Sequence, residues 1–218
     1  MTARGKFIIA ISVILVPVII FFIGSFGKQN FKNLPYFGER TAPGGGDDKD
    51  TIYYSVPGFE LISQTGETIT QKTFDNCIYI ANFFFASCKD VCPKMNAKVE
   101  SVYTKIKEQN IKEIKFLTIT VDPENDSVPV LAEYANKFHA DPKSWYFATG
   151  TKEEIFKTGK GFLLPVSIED KTIDHSQQLL LIDKNKHIRG IYNGLDEVEI
   201  LRLKDDLKVL LYEYRQPK

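Results

Sequence analysis

Two cysteines with three residues between them, Cys88 and Cys92, are the side chains of this sequence best suited to chemistry. They follow an apolar run at 78–85 that is rich in β-branched and aromatic residues, which predicts a buried strand. Pro93 comes directly after the second cysteine and is typical of the first turn of a helix. The pair is therefore expected on a strand-to-helix connection, where helix-terminal amides favour the thiolate that binds metal or attacks disulfides.

The four-residue step from Cys88 to Cys92 is one helical turn, so both sulfurs can face the same side and hold a metal between them. His175 stands at the start of an apolar strand, and a thioredoxin-like strand order places that end of the strand beside the cysteine loop. Two thiolates and one imidazole suit copper, because thiolates select the cuprous ion and imidazole also accommodates the cupric ion. Structural zinc prefers four ligands, and the sequence offers no clear fourth.

A redox role for the same two cysteines remains open. Dithiol oxidoreductases more often have two residues between their cysteines, but three do not prevent a disulfide. Cys88 and Cys92 are thus also candidate catalytic residues, as a redox-active pair. The third cysteine, Cys77, opens the apolar strand and is interpreted as a small hydrophobic residue. Asp122 and Asp126 follow the next strand and are interpreted as turn or helix-cap residues.

The order of predicted elements is that of a thioredoxin-like α/β domain. A hairpin turning near Gly66 comes first, and apolar runs then alternate with helical segments. A second hairpin and a terminal helix complete the pattern. The predicted strands are 59–63, 64–70, 78–85, 114–121, 145–149, 179–183 and 187–192, and the predicted helices are 93–108, 128–139, a short one from Thr151, and 196–212.

The first 27 residues contain an apolar stretch, 8–26, whose nineteen residues nearly match the ~30 Å hydrocarbon core of a bilayer. The stretch is longer than the apolar region of a secretory signal and no Ala-x-Ala site follows it, so we predict an uncleaved membrane helix in 1–27. The short tail before it favours the cytoplasmic side, which places the rest of the chain outside the cytoplasm. Residues 28–50 are rich in glycine, proline and charge and predict a flexible linker, followed by one domain at 51–218.

Composition and local sequence exclude some functions. The 28 basic and 28 acidic residues cancel, so the chain has no electrostatic footprint for nucleic acid. Three cysteines are too few for a disulfide scaffold. A peroxidase is disfavoured, because no arginine lies near Cys88 in the sequence.

Three stretches of sequence, in this order, resemble the SCO/SenC family of copper chaperones. They are FFFASCKDVCPKM at 83–95, FLTITVDPEND at 116–126 and IDHS at 173–176, and the resemblance covers about 56–211. It implies a thioredoxin-like domain with an N-terminal β-hairpin, preceded by one transmembrane helix. It also implies that copper is held by Cys88, Cys92 and His175.

The resemblance further implies a function and a place. The function is delivery of copper to the binuclear copper site of cytochrome c oxidase, in subunit II, or reduction of the cysteines of that site. The place is the inner (cytoplasmic) membrane, with a single pass and the domain on the extracytoplasmic, periplasmic side. Two alternatives stay open: an extracytoplasmic thiol–disulfide reductase, which needs the thiols but not the histidine, and a copper-dependent redox sensor.

Overall fold

A computed structural model describes residues 15–16, 33–41, 51–167, 172–173 and 177–216, with the backbone alone at 166–167 and 172–173. The chain divides into two compact units, Met1–Asn33 and Leu34–Lys218. Of the predicted membrane helix at 8–26, only Leu15 and Val16 lie among the described residues, and both are helical. None of the helices in the described part of the chain is long and apolar enough to cross a bilayer.

The larger unit alternates strands and helices in the order that the sequence predicts. Its strands are β1 Arg40–Thr41, β2 Ile52–Tyr53, β3 Glu60–Ser63, β4 Thr68–Thr70, β5 Ile78–Phe84, β6 Ile114–Thr120, β7 Trp145–Thr149, β8 Val166–Ser167, β9 Thr172–Ile173, β10 Gln178–Ile182 and β11 Ile188–Asn193. Its α-helices are α1 Val91–Glu108, α2 Val128–Lys137, α3 Lys152–Gly161 and α4 Glu197–Arg215, and a short 3-10 helix covers Gln71–Phe74.

A seven-stranded sheet with the order β11-β10-β5-β6-β7-β3-β4 forms the centre of this unit. Strands β5, β6 and β7 are parallel, whereas β10 and β3 run antiparallel to their neighbours in the sheet. The predicted first hairpin is present as β3 and β4, and Gly66 takes a φ of +81° in its turn, a conformation that glycine adopts without steric cost. The parallel strands all end at the same edge of the sheet, which is the edge that carries the cysteine loop.

Strand β5 is buried along its whole length because both faces of the sheet are covered. Its side chains alternate between two hydrophobic clusters. One cluster takes Ile78, Ile80 and Phe84 and is covered by α1, α2 and α4. The other takes Tyr79, Ala81 and Phe83 and is covered by α3 and the β3–β4 hairpin. This alternation fixes the orientation of β5, and therefore the position at which the following cysteine loop begins.

The segment Leu34–Thr41 packs on the domain, although it falls within the range predicted as a linker, 28–50. Leu34 is buried, the Phe37 amide donates to the carbonyl of Ile188 at 2.9 Å, and β1 pairs with β2. The compact unit therefore begins near Leu34 rather than at Thr51. A segment rich in glycine and proline is a linker only if no other part of the chain binds it. Here Arg189, which is distant in sequence, binds the segment at Leu34.

Arg189 of β11 holds this segment through a buried network of charges. Its guanidinium is 1% exposed, pairs with Asp183 at 3.1 Å and with Glu213 at 3.2 Å, and donates to the carbonyl oxygen of Leu34 at 2.9 Å. It also lies over the ring of Tyr36 at 4.1 Å, a cation–π contact. The two fully buried charges, Arg189 and Asp183, are paired with each other, which is the condition for burying them, whereas Glu213 remains partly exposed.

Candidate functional site

The cysteine pair lies on the connection between β5 and α1, as the sequence predicts. Helix α1 begins at Val91, so Cys92 is in its first turn while Cys88 is in the loop before it. The Cys92 amide donates to the Cys88 sulfur at 3.4 Å. Because the N-cap residue Asp90 makes no side-chain cap bond, the Cys88 sulfur serves as acceptor for an otherwise open helix amide.

The two thiols differ in burial and in pKa. Partial burial raises the pKa of Cys88, but hydrogen bonds from the amides of Cys92, Asp90 and Val91 and from the Cys92 thiol outweigh it, and the pKa is lowered. Cys92 is 2% exposed, and burial raises its pKa to about 12, with the neighbouring Cys88 adding to the effect. In the metal-free protein, Cys88 is therefore the more acidic and more reactive of the two thiols, and Cys92 is a thiol that donates a hydrogen bond to it.

We expect iodoacetamide at pH 7 to alkylate Cys88 at least about tenfold faster than Cys92, the factor that one pKa unit represents. Cys88 is half-buried and Cys92 is buried, so exposure and thiolate character act in the same direction. Timed alkylation of the reduced chain followed by peptide mass spectrometry measures both rates, with Cys77 as an internal reference. Equal rates at Cys88 and Cys92 would contradict the asymmetry.

A buried carboxylate fixes the loop in front of the cysteines. Asp126 is 1% exposed and accepts the amide of Ala86, two residues before Cys88, at 2.9 Å and the hydroxyl of Thr120 at the end of β6. Burial raises the pKa of this carboxyl. The interpretation of Asp126 as a helix cap is wrong, because the N-cap of α2 is Ser127. The turn role of Asp122 is confirmed, since its carbonyl accepts the amides of Asn125 and Asp126.

A buried tyrosine, Tyr134, also interacts electrostatically with the pair, and sequence reasoning did not single it out as a site residue. Burial raises the pKa of Tyr134 to about 12, a hydrogen bond from Asn96 opposes the rise, and negative charge on Cys92 or Cys88 adds to it. Its ring packs on Phe84, the last residue of β5, at 4.8 Å between centroids. One feature of the sequence could have indicated a buried polar contact here. Asn96 is a polar residue on a face of α1 that is otherwise largely apolar.

His175 lies outside the described residues, but the chain two residues beyond it is described. The carbonyl of Gln177 accepts the amide of Gly194 at 2.6 Å. Gly194 packs so closely on Met95 that a Cβ added to the glycine would lie 2.6 Å from the Cγ of Met95. Met95 is three residues after Cys92 in α1. The start of β10 therefore lies beside the first turns of the helix that carries the cysteine pair.

The described residues alone do not make a complete metal site. No group of three or more histidine, cysteine, aspartate or glutamate side chains in this part of the chain could hold a metal ion. Cys88 and Cys92 supply two soft sulfur donors on this loop. Soft sulfur donors on a half-exposed loop fit a thiophilic ion.

Comparison with known proteins decides the family. The family model for SCO1/SenC matches residues 49–208, which is most of the chain. The chain belongs to the SCO1/SenC family. The "SCO1 protein homolog" of Bacillus subtilis (strain 168) is 27% identical over 172 residues, which cover 77% of this chain and 88% of that protein.

Two solved SCO structures show the same fold. The copper-bound crystal structure of Arabidopsis thaliana ScoI is 28% identical with a TM-score of 0.61, and the match covers 74% of this chain and 99% of that one. The structure of BsSco is 26% identical with a TM-score of 0.62, covering 71% and 92%. BsSco is described as a member of the Sco family of cytochrome c oxidase assembly proteins in which a disulfide switch was identified. The predicted resemblance and the predicted thioredoxin-like α/β fold are thus confirmed.

Proposed function

We propose that this SCO protein is a copper chaperone that carries copper to the binuclear copper site of cytochrome c oxidase. The observation that carries the proposal is the pair of cysteines at the edge of the sheet where the parallel strands end. There the amide nitrogen of Cys92 lies 3.4 Å from the Cys88 sulfur. A relative of the same fold has been crystallised with copper bound. Thiolates are the ligands that select the cuprous ion among the first-row metals.

A chaperone must release its copper as well as hold it, and the unequal burial of the two cysteines suits both tasks. Cys92 is buried at the helix start, so a metal bound there is anchored to the domain. Cys88 is half-buried on the loop, so a ligand of the recipient can approach the metal from that side. We place the recipient's approach at Cys88 and the last protein contact at Cys92.

His175 is the proposed third ligand. The proposal is supported by Gln177, the described residue two positions after His175, since two residues of extended chain span at most about 7 Å. Gln177 already lies against Gly194, and Gly194 against Met95. Imidazole adds a donor that suits both cuprous and cupric ion, whereas two thiolates alone favour the cuprous ion.

The location proposed for this activity follows from the sequence. The apolar stretch at 8–26 is proposed to anchor the chain in the inner membrane by a single pass. The domain would then lie on the extracytoplasmic side, where subunit II of the oxidase is the proposed recipient. The relatives' role as oxidase assembly proteins supports this choice of partner.

A copper titration of the purified chain tests the three-ligand site. The parent is expected to bind about one copper, and His175→Ala is expected to weaken binding by more than about 100-fold, because even outer partners of metal ligands are worth about 10–100-fold. His139→Ala is the matched control, since His139 is an exposed histidine paired with Glu100 at 2.8 Å. Parent-like affinity in His175→Ala would remove the histidine from the site.

The second candidate function is an extracytoplasmic thiol–disulfide reductase. The unequal thiols favour it, because a half-buried thiol of lowered pKa beside a buried thiol is the arrangement that attacks and then resolves a disulfide. This function needs no imidazole. Reduction of a disulfide substrate by His175→Ala at the parent's rate, with and without a copper chelator, would favour the reductase over the chaperone.

A further inference from the structure

A cavity of about 380 Å³ opens at the edge of the sheet where β6 and β7 begin. Lys115 of β6 lines it, but its ammonium is used within the fold, since it donates to the carbonyl of Thr73 at 2.6 Å. The other lining lysines, here called the lysine rim, are Lys107 in the last turn of α1, Lys112 before β6 and Lys143 before β7. The cysteine loop follows the far end of β5, whose seven residues span about 23 Å. The cavity is therefore separate from the cysteine site.

The floor of the cavity is apolar and its walls are fixed. Ile114, Phe116 and Tyr103 line it and are buried. The Tyr103 hydroxyl accepts the amide of Asp141 at 3.1 Å, and the Asp141 carboxylate accepts the amide of Lys143 at 3.0 Å. These bonds tie the loop before β7 to α1, so the backbone holds Lys143 at the rim.

A tight turn at the end of α1 places Lys112 at the same rim. Asn110 has a φ of +52°, and the chain reverses there. The Asn110 amide donates to the carbonyl of Lys107 at 3.0 Å and the Ile111 amide to that of Ile106 at 3.2 Å, which is the hydrogen-bond pattern of a Schellman motif. Because these two bonds close the turn, Lys107 and Lys112 stay on either side of one short loop.

The lysine rim carries more positive charge than its acidic neighbours balance. All three of its lysines are exposed, and none forms an ion pair with another described residue. Asp141 is the one acidic side chain among the described residues that line the cavity. Glu113 follows Lys112 in sequence, but its carboxylate pairs with Arg215 at 2.6 Å. Since the charges of the whole chain cancel, this excess is a local feature, and it fits an anion.

The apolar floor indicates what kind of anion fits. A lysine ammonium binds phosphate as a point charge, so the rim alone would suit any phosphate group. A free phosphate would leave Ile114 and Phe116 uncovered at the floor. An amphiphile whose phosphate lies at the rim and whose apolar part covers the floor uses both features of the cavity. Anionic phospholipids have this chemistry.

The path of the chain favours the same ligand. The compact unit begins at Leu34, whose carbonyl accepts from Arg189, and Arg189 pairs with Asp183 at the end of β10. Because β10 runs antiparallel to β5, it ends at the edge where the parallel strands begin. The apolar stretch at 8–26 ends eight positions before Leu34, which is at most about 28 Å of extended chain. The edge that carries the lysine rim is therefore also the edge that the chain enters.

We propose that the lysine rim binds the phosphate of an anionic phospholipid, which holds this edge of the domain on the membrane surface. The cysteine pair then lies at the edge that points away from the bilayer, where a partner can approach it. The choice of a lipid rests on the membrane anchor proposed above, because the anchor keeps the cavity close to headgroups.

Lysine acylation of the full chain in vesicles tests the proposal. The chain is reconstituted in phosphatidylcholine vesicles with or without phosphatidylglycerol, and acylation rates are measured by peptide mass spectrometry. Lys112 and Lys143 are expected to react several-fold more slowly when phosphatidylglycerol is present. Lys152 is the internal control, since it is an exposed lysine at the start of α3, at the opposite edge, and its rate should not change.

Two double variants separate a headgroup site from general attraction to the vesicle. In the chain with Lys112→Gln and Lys143→Gln, Lys107 should lose its protection by phosphatidylglycerol. The control carries Lys94→Gln and Lys152→Gln, both at the cysteine edge, and should keep that protection.

Three outcomes would overturn the proposal. Equal rates at the lysine rim in both kinds of vesicle would leave an acidic protein as the better occupant. Equal protection of Lys152 would mean that no particular edge meets the membrane. Protection by inorganic phosphate in phosphatidylcholine vesicles would assign the cavity to a free anion. Flotation with phosphatidylcholine vesicles tests the anchor separately, so its failure is distinct from failure of the headgroup site.

Discussion

Replacing Cys92 by serine is expected to weaken binding of cuprous ion by more than about 100-fold, beyond what loss of an outer partner of a ligand costs. The change removes a soft sulfur donor and leaves a hard oxygen that the cuprous ion disfavours. Serine is close to cysteine in volume, so the buried start of α1 keeps its packing. A titration in competition with a chelator of known affinity measures the loss.

Cys88→Ser is expected to lower the copper affinity to a similar extent, but the two variants should differ in thiol chemistry. Cys92→Ser retains the half-exposed Cys88, which can still attack a disulfide and remain in a mixed disulfide with it. Cys88→Ser leaves only the buried thiol. Cys77→Ser, at the other end of β5, is the control and should bind copper as the parent does. Parent-like affinity in either site variant would remove that sulfur from the copper site.

Arg189→Ala is expected to lower the free energy of unfolding by about 3–5 kcal/mol, the usual cost of removing one partner from a buried ion pair. Asp183 is fully buried and pairs with Arg189 at 3.1 Å, so the variant leaves its charge without that partner in the core. The carbonyl oxygens of Leu34 and Pro35 also lose their donor. Denaturant unfolding followed by circular dichroism measures the change.

Arg202→Ala is the matched control for Arg189→Ala. Arg202 also pairs with a glutamate, Glu199, but its side chain is 46% exposed. Exposed pairs contribute about 0–1 kcal/mol, so this variant should unfold almost as the parent does. A loss in Arg189→Ala no larger than in Arg202→Ala would show that water relieves the buried charge of Asp183.

Local sequence was sufficient where structure depends on neighbours in the chain. The run at 78–85 became β5 because β-branched and aromatic residues suit a strand that is covered on both faces. Thr151 and Glu154 form a capping box at the start of α3, which the sequence predicts from residue type and spacing alone. The cysteine pair was located correctly for the same reason, since a strand, a turn and a helix start are all local signals.

Contacts between distant residues were not accessible in the same way. Leu34 looked like linker because its partner, Arg189, lies 155 positions later in the chain. Asp126 was interpreted as a turn or helix-cap residue, since the amide that it accepts, from Ala86, is 40 positions earlier and leaves no local signal. A carboxylate that caps its own helix and one that fixes a distant loop have the same residue type and similar neighbours, so only the packing distinguishes them.

The sequence by itself determined which atoms can do chemistry here: two sulfurs on one strand-to-helix connection, in the order of elements of an SCO domain. Only the tertiary structure decided that the sulfurs are unequal, because burial of Cys92 and the amides around Cys88 arise from how α1 meets the sheet. It also decided that Tyr134 is buried in the same hydrophobic cluster as Cys92. Burial and hydrogen-bond direction are properties of the folded surroundings of a side chain, and residue order does not encode them locally.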